Sequence, residues 1–139
     1  MGRQLRCRFK EERVENTSLS KKDGYKIHHE WLELFANKFR DPNGKFKTGN
    51  YIWEAYHSGS LPSVSGSEGS SLYQSKPVEE YYVIYENGQQ AFDCKSDAWP
   101  IFLFNEAIVF PKSKTWSAVF SHEETAYYVE PDPAFTKDN

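Results

Sequence analysis

Apolar positions along the chain repeat with two periods. Gln4 to Lys10 alternates, with Leu5, Cys7 and Phe9 on one side and Gln4, Arg6, Arg8 and Lys10 on the other. That is the period-two pattern of a half-buried strand. Val14 to Ser20 is polar and reads as a loop. From Tyr25 the period lengthens: Ile27, Trp31, Leu34, Phe35 and Phe39 fall at helical spacing and leave Lys26, Glu30, Glu33 and Lys38 outward. Ser20 and Asp23 have the spacing of a capping box, with Asp in the acidic slot. Asp41-Pro42-Asn43-Gly44 ends the helix, because Pro42 cannot continue the hydrogen-bond ladder. Tyr51 to His57 is a second apolar stretch in which Ile52, Trp53 and Tyr56 can share a face, and it reads as a short helix. Ser58 to Ser71 is dominated by Ser and Gly and reads as a flexible loop.

The second half returns to period two. Glu79 to Glu86 contains Tyr81, Tyr82, Val83, Ile84 and Tyr85, all strand formers. Asn87-Gly88 is a hairpin turn signal, since both residues tolerate positive φ. Gln89 to Lys95 sets Gln90, Phe92 and Cys94 against Ala91, Asp93 and Lys95. Ala107 to Phe110, Thr115 to His122 and Thr125 to Val129 complete the run, the second with Trp116, Ala118 and Phe120 on one face. The elements predict an α+β fold. An antiparallel sheet of four to five strands packs on one long amphipathic helix, with a short second helix beside it. The length of 139 residues fits a single domain, residues 1–139, with the loop at 58–71 and a frayed tail from 130.

Composition sharpens this outline in one respect. Aromatic residues make up 17%: ten Phe, nine Tyr and four Trp, a content that argues against disorder. Trp31, Phe35, Phe39, Trp116 and Phe120 fall on single faces and read as core. Tyr81, Tyr82, Tyr85, Tyr127 and Tyr128 put aromatics on both faces of their strands, so some must be exposed or covered by another element. No apolar run approaches the roughly 20 residues that a membrane-spanning helix needs. Met1 to Lys10 has no apolar stretch of the kind a secretory leader carries, and two widely separated cysteines, Cys7 and Cys94, make no disulfide framework. A cytoplasmic location is expected.

Charge is uneven. Residues 1–50 hold 12 Lys/Arg against 7 Asp/Glu, and residues 51–139 hold 5 against 13. An acidic half-chain suits a basic partner, because complementary fields speed encounter and select partners. Nucleic acid is disfavoured by an overall pI of about 5.8.

Catalytic signatures are sparse. His28 and His29 are adjacent, so on a helix they point about 100° apart. A zinc set of His57, His122 and Glu124 has no supporting spacing. Ser121-His122-Glu123 gathers a nucleophile, a base and a carboxylate, but strand neighbours face opposite ways and cannot pair directly. His122 reads instead as a strand-end residue that orders the following turn. The carboxylate neighbours Glu79-Glu80 and Glu123-Glu124 read as exposed strand ends. No Gly-x-Ser-x-Gly elbow, phosphate loop or dinucleotide fingerprint occurs. No cofactor and no metal is expected.

Tyr51-Ile52-Trp53, the Ser/Gly loop, the Tyr-rich strand, Ala107-Ile108-Val109-Phe110 and Trp116-Ser117-Ala118-Val119-Phe120-Ser121-His122-Glu123 together carry a resemblance. The chain resembles a family of small bacterial proteins of unknown function with a late Trp-Thr-Phe-Val-x-Thr-His-Glu strand. Trp31 and Phe35 would match its early Trp-containing helix, and Trp53 and Tyr56 its Leu-Trp-x-x-Phe segment. Ser117 and Ser121 stand where that family has Thr, and Ala118 where it has Phe. The resemblance implies a single α+β domain of bacterial or phage origin and offers no catalytic assignment.

The resulting expectation is a small non-catalytic binding or inhibitor module, immunity-like or anti-defence-like. Tyr81, Tyr85, Tyr127, Glu123, Glu124 and Glu130 would contact a basic partner such as a nuclease toxin or defence protein. One alternative is a small-molecule or nucleotide binder with a deep aromatic-lined crevice between sheet and helix. A second is an enzyme of unfamiliar type using His57 or His122.

Overall fold

The computed structural model describes residues 15–46, 52–58, 61–85, 90–100, 102, 106–121 and 126–131. The fold is α+β with an antiparallel sheet. In chain order its elements are β1 (Glu15–Ser18), α1 (Lys21–Phe35), α2 (Trp53–His57), β2 (Val64–Ser65), α3 (Gly66–Ser75), β3 (Tyr81–Tyr85), β4 (Gln90–Lys95), β5 (Ala107–Pro111), β6 (Ser117–Phe120) and β7 (Ala126–Val129). Among the described residues the sheet has seven strands in the order β1-β4-β3-β5-β6-β7-β2, more than the four to five expected, and three helices accompany it rather than two.

Central strand β5 is buried at all five positions, which is why Ala-Ile-Val-Phe-Pro shows no polar alternation. Its partner β3 pairs Tyr81 with Pro111 and Tyr85 with Ala107. Register places Tyr81, Val83 and Tyr85 on one face with Phe92, Cys94, Val109, Ala118, Phe120 and Tyr128. The other face carries Ile84, Ala91, Ile108, Phe110, Val119, Tyr127 and Val129.

Helix α1 covers this second face. Ser20 caps it as expected, its Oγ accepting from the Asp23 amide at 3.1 Å. Trp31, Leu32 and Phe35 point into the sheet beside Ile52, Trp53 and Tyr56 of the α2 segment. Trp31 stacks on Phe35 with ring centroids 5.7 Å apart, and Phe35 meets Phe110 edge-on at 6.2 Å.

The first face has its own cover. Residues 66–71, expected to belong to the flexible loop at 58–71, fall instead in α3, which runs on to Ser75. This helix lies so close to β2 and β7 that a Cβ on Gly69 would sit 2.2 Å from the Val64 carbonyl oxygen and 3.1 Å from that of Ala126. Three residues on, Leu72 and Tyr73 reach the core, where Tyr73 packs on Trp99, Trp116 and Phe120 with centroids 5.8, 5.7 and 5.4 Å away. Trp99 joins the cover by donating its indole N–H to the Lys76 carbonyl at 2.8 Å.

The two-faced tyrosine strands are thereby explained. Both faces are roofed, so Tyr81, Tyr85 and Tyr127 are buried, at 0%, 1% and 3% exposure, against the expectation that they face a partner. The polar stretch expected as a loop contains β1, whose Glu15–Ser18 backbone pairs along β4 from Lys95 to Phe92. The expected strand at 4–10 and the Asn87-Gly88 turn lie outside the described residues, as does most of the tail from 130. Among the described residues no helix is long and apolar enough to cross a membrane.

Candidate functional site

The crevice between α1 and the sheet is filled by the rings that face it. Between the α2 segment and the sheet, a cavity of about 10 Å³ lies beside Ile52, Trp53, Ile84 and Phe120. A water alone needs at least that much room, so no ligand enters there.

Open space lies instead at the end of the sheet where β7 and β2 meet the ends of α1 and α3. A groove of about 520 Å³ runs between Phe35 and Lys38 on one side and Leu72 and Lys76 on the other, floored by Tyr128 and Val129. Leu61, Val64 and Glu130 complete its rim. Each wall is tied down. The end of α1 is held by Tyr56, whose buried hydroxyl donates to the Phe35 carbonyl at 3.0 Å. Segment 61–64 is anchored by the Leu61 amide on the Ala55 carbonyl at 3.0 Å and by the pairing of Val64 with Tyr128. Lys76 is fixed through its carbonyl by Trp99, and its ammonium lies 5.2 Å from the centre of the Tyr128 ring. The volume falls within the range of small-molecule sites, which are mainly apolar with a few placed polar groups.

Of the residues expected from sequence to meet a partner, Glu130 is exposed and stands at this rim. Tyr127 faces the opposite side of β7 from Tyr128, and Tyr81 and Tyr85 lie in the core on other strands. Burial withdraws all three rings from any partner. Glu123 and Glu124 lie outside the described residues. Phe35, Lys38, Leu72 and Lys76 were missed, because they come from separate elements and no local spacing joins them. The sequence carries one trace of it, the Leu72-Tyr73 pair directly after the Ser/Gly stretch.

Among the histidines, His57 is exposed at the end of α2, and its Nδ1 is hydrogen-bonded to the Tyr127 hydroxyl at 3.1 Å. Trp53 meets the same imidazole edge-on at 6.0 Å. His57 thus ties α2 to β7. His122, and with it the imagined zinc set and the Ser121-His122-Glu123 cluster, lies outside the described residues. Ser121 itself is buried. Burial pushes the Cys94 thiol up, helped by the neighbouring Asp93 carboxylate and opposed by Lys112, so this cysteine is a protonated core residue. Among the described residues, no group of three His, Cys, Asp or Glu side chains is placed to hold a metal ion.

A scan against protein-family models, a search of curated proteins and a search of solved structures each find no match for this chain.

Proposed function

We propose that the protein is a non-catalytic binding domain whose groove takes a small amphipathic molecule, with an apolar body and an anionic group. The observation that carries this reading is the pairing of an apolar trough, Phe35, Leu61, Val64, Leu72 and Tyr128, with two lysines at its rim, Lys38 and Lys76. An apolar body buried against Leu72 and Tyr128 gains about 25 cal/mol per Å² removed from water. An anionic group beside the Lys76 ammonium, already held over Tyr128, needs little reordering of the protein. Glu130, on the same rim, disfavours ligands with two separated negative charges.

This departs from the inhibitor module expected from sequence. That expectation drew on outward tyrosines beside an acidic half-chain, and with Tyr81, Tyr85 and Tyr127 in the core the first of these supports is gone.

The test uses 8-anilinonaphthalene-1-sulfonate, an apolar double ring carrying one sulfonate, titrated into the full chain and followed by its fluorescence. Saturable binding is expected, abolished by Leu72→Asp and weakened by Lys76→Glu. Binding unchanged by both substitutions, in variants with native circular dichroism, overturns the reading.

A further inference from the structure

A second concavity lies along the flank of α1, lined by Tyr25, His28, His29, Leu32 and Glu33. The turn after the helix folds back through a bridge between Arg40 and Phe46, and a cleft of about 520 Å³ opens between that turn and the helix. The turn is firmly built. Asp41 Oδ1 accepts from the amides of Asn43 and Lys45 at 2.9 and 3.1 Å, and Gly44 takes the positive φ of 83° that closes it. Arg40 donates to the carbonyls of Asn37 and Gly44, both at 2.8 Å. Its guanidinium carbon also sits 3.9 Å above the centre of the Phe46 ring.

The rings across this cleft form a ladder. Phe46 meets His29 edge-on at 5.6 Å, and His29 stacks on Tyr25 at 5.9 Å and 27°. The ladder ends in water: Tyr25 is 69% exposed, whereas the other tyrosines among the described residues are largely covered. One face of its ring rests on His29 and the rest is open. Charge is divided by wall. Glu33, on the helix, is held by His29 Nδ1 at 2.9 Å, while Arg40 and Lys45 bring two cations on the turn. Between them His28 lines the cleft. Burial, and secondarily His29, depresses its basicity, so at neutral pH it is an uncharged imidazole with one donor and one acceptor.

An exposed ring, a neutral imidazole and a guanidinium beside an ammonium suit a flat heteroaromatic ring joined to a phosphate. We propose that this cleft binds a nucleoside phosphate, the base on Tyr25 and the phosphate on Arg40 and Lys45. Aromatic rings accept bases of any sequence, and Arg presents a planar fork that fits phosphate. The guanidinium carries five N–H donors, and its two backbone bonds engage two of them. The modest overall pI does not bear on this face, because the acidic surplus belongs to the second half of the chain. The same chemistry is offered by a free nucleotide and by a nucleotide within a single strand.

The experiment is a titration of the full ¹⁵N-labelled chain, read by amide shifts, with adenosine monophosphate, inorganic phosphate and a thymidine hexanucleotide. Adenosine monophosphate is expected to shift Tyr25, His29, Gly44 and Phe46, and phosphate alone only the turn. Tyr25→Ala should weaken nucleotide binding about fivefold or more, the effect of losing one stacked base. Because Tyr25 is exposed, the variant keeps its fold, which the unchanged shifts of the sheet verify. Lys45→Gln should weaken binding and reduce its salt dependence. A hexanucleotide that binds tighter than the mononucleotide identifies a strand as the source, and equal affinity identifies the free nucleotide. No shift in this cleft at millimolar nucleotide overturns the proposal, and so do shifts confined to the groove or affinity unchanged in Tyr25→Ala. The groove can fail its own test without affecting this one, because the two maps do not overlap.

Discussion

Trp31 donates its indole N–H to the Ser117 hydroxyl at 2.9 Å, and Ser117 in turn donates to the Val109 carbonyl at 3.0 Å. Both side chains are fully buried, so this chain of bonds stitches α1 to β6 and β5 inside an otherwise apolar interface. The serine stands on the α1 face of β6 and is the partner without which a buried indole N–H would have none there.

Ser117→Ala is therefore expected to cost about 1–3 kcal/mol, since it strands a buried donor where no water enters. Trp31→Phe removes the donor itself but also shrinks a packed ring. The double variant should be less destabilised than the sum of the two, because the stranded donor is counted only once. Urea unfolding of the four proteins checks this. Additive effects would show that the bond contributes nothing.

Gly69→Ala probes the roof on the other face. The added methyl would collide with the Val64 carbonyl oxygen, which is backbone and cannot swing away. A loss of about 1–3 kcal/mol is expected, as for overpacking elsewhere. Because Leu72 and Lys76 move with α3, the same variant should weaken anilinonaphthalene sulfonate binding in the groove. Full stability together with full binding would mean that α3 is not seated as described.

The helix that this glycine seats was illegible in the sequence, and the reason is physical. Gly66 to Ser75 has little intrinsic helical preference, and Ser65 makes no side-chain capping bond. What holds the helix is the close approach at Gly69 and the burial of Tyr73, both tertiary. By contrast α1 was legible because stripe and cap agree locally, and Ser20 does cap it, but the helix ends at Phe35, before Phe39 and before the stop expected at Asp41-Pro42. Strands β3 to β7 were legible from period two and β-branched or aromatic content. Their exposure was not, because alternation cannot distinguish a sheet with one wet face from one roofed on both. β1 escaped notice because Glu-Asn-Thr-Ser shows no apolar alternation, and what places it as a strand is its backbone pairing with β4. The groove escaped too, since Lys38, Val64, Leu72 and Tyr128 become neighbours only when the sheet order places β2 beside β7.

Stability should fall at both ends of the pH scale. His28, buried on α1, binds a proton less readily folded than unfolded. Below the ordinary histidine value of 6.5 the unfolded chain takes up a proton that the native chain resists, so stability present above 6.5 is lost as pH falls. Cys94 and Tyr56 act in the opposite sense. Burial holds the thiol and the phenol protonated, while the unfolded chain releases these protons above their ordinary values of 9.0 and 10.0. Stability present below pH 9 is then lost as pH rises. Urea midpoints at pH 5, 7.5 and 10.5 should peak in the middle, and His28→Gln should flatten the acid limb alone. An acid limb unchanged in that variant would assign it to other groups.

The His57–Tyr127 bond separates a structural role from a catalytic one. His57 lies at the end of α2 and Tyr127 on β7, and their 3.1 Å contact ties these elements on the α1 side of the sheet, beside the packing of Tyr56 on Tyr127. If holding α2 in place is its whole role, His57→Ala and Tyr127→Phe should each cost about 0.5–1.5 kcal/mol, the usual net worth of one hydrogen bond. Their effects should overlap in the double variant, because each removes the same bond. Neither should change the affinity of the groove, since neither His57 nor Tyr127 lines it. A His57→Ala protein of unchanged stability that nevertheless loses its biological effect would reverse this assignment and return the histidine to chemistry.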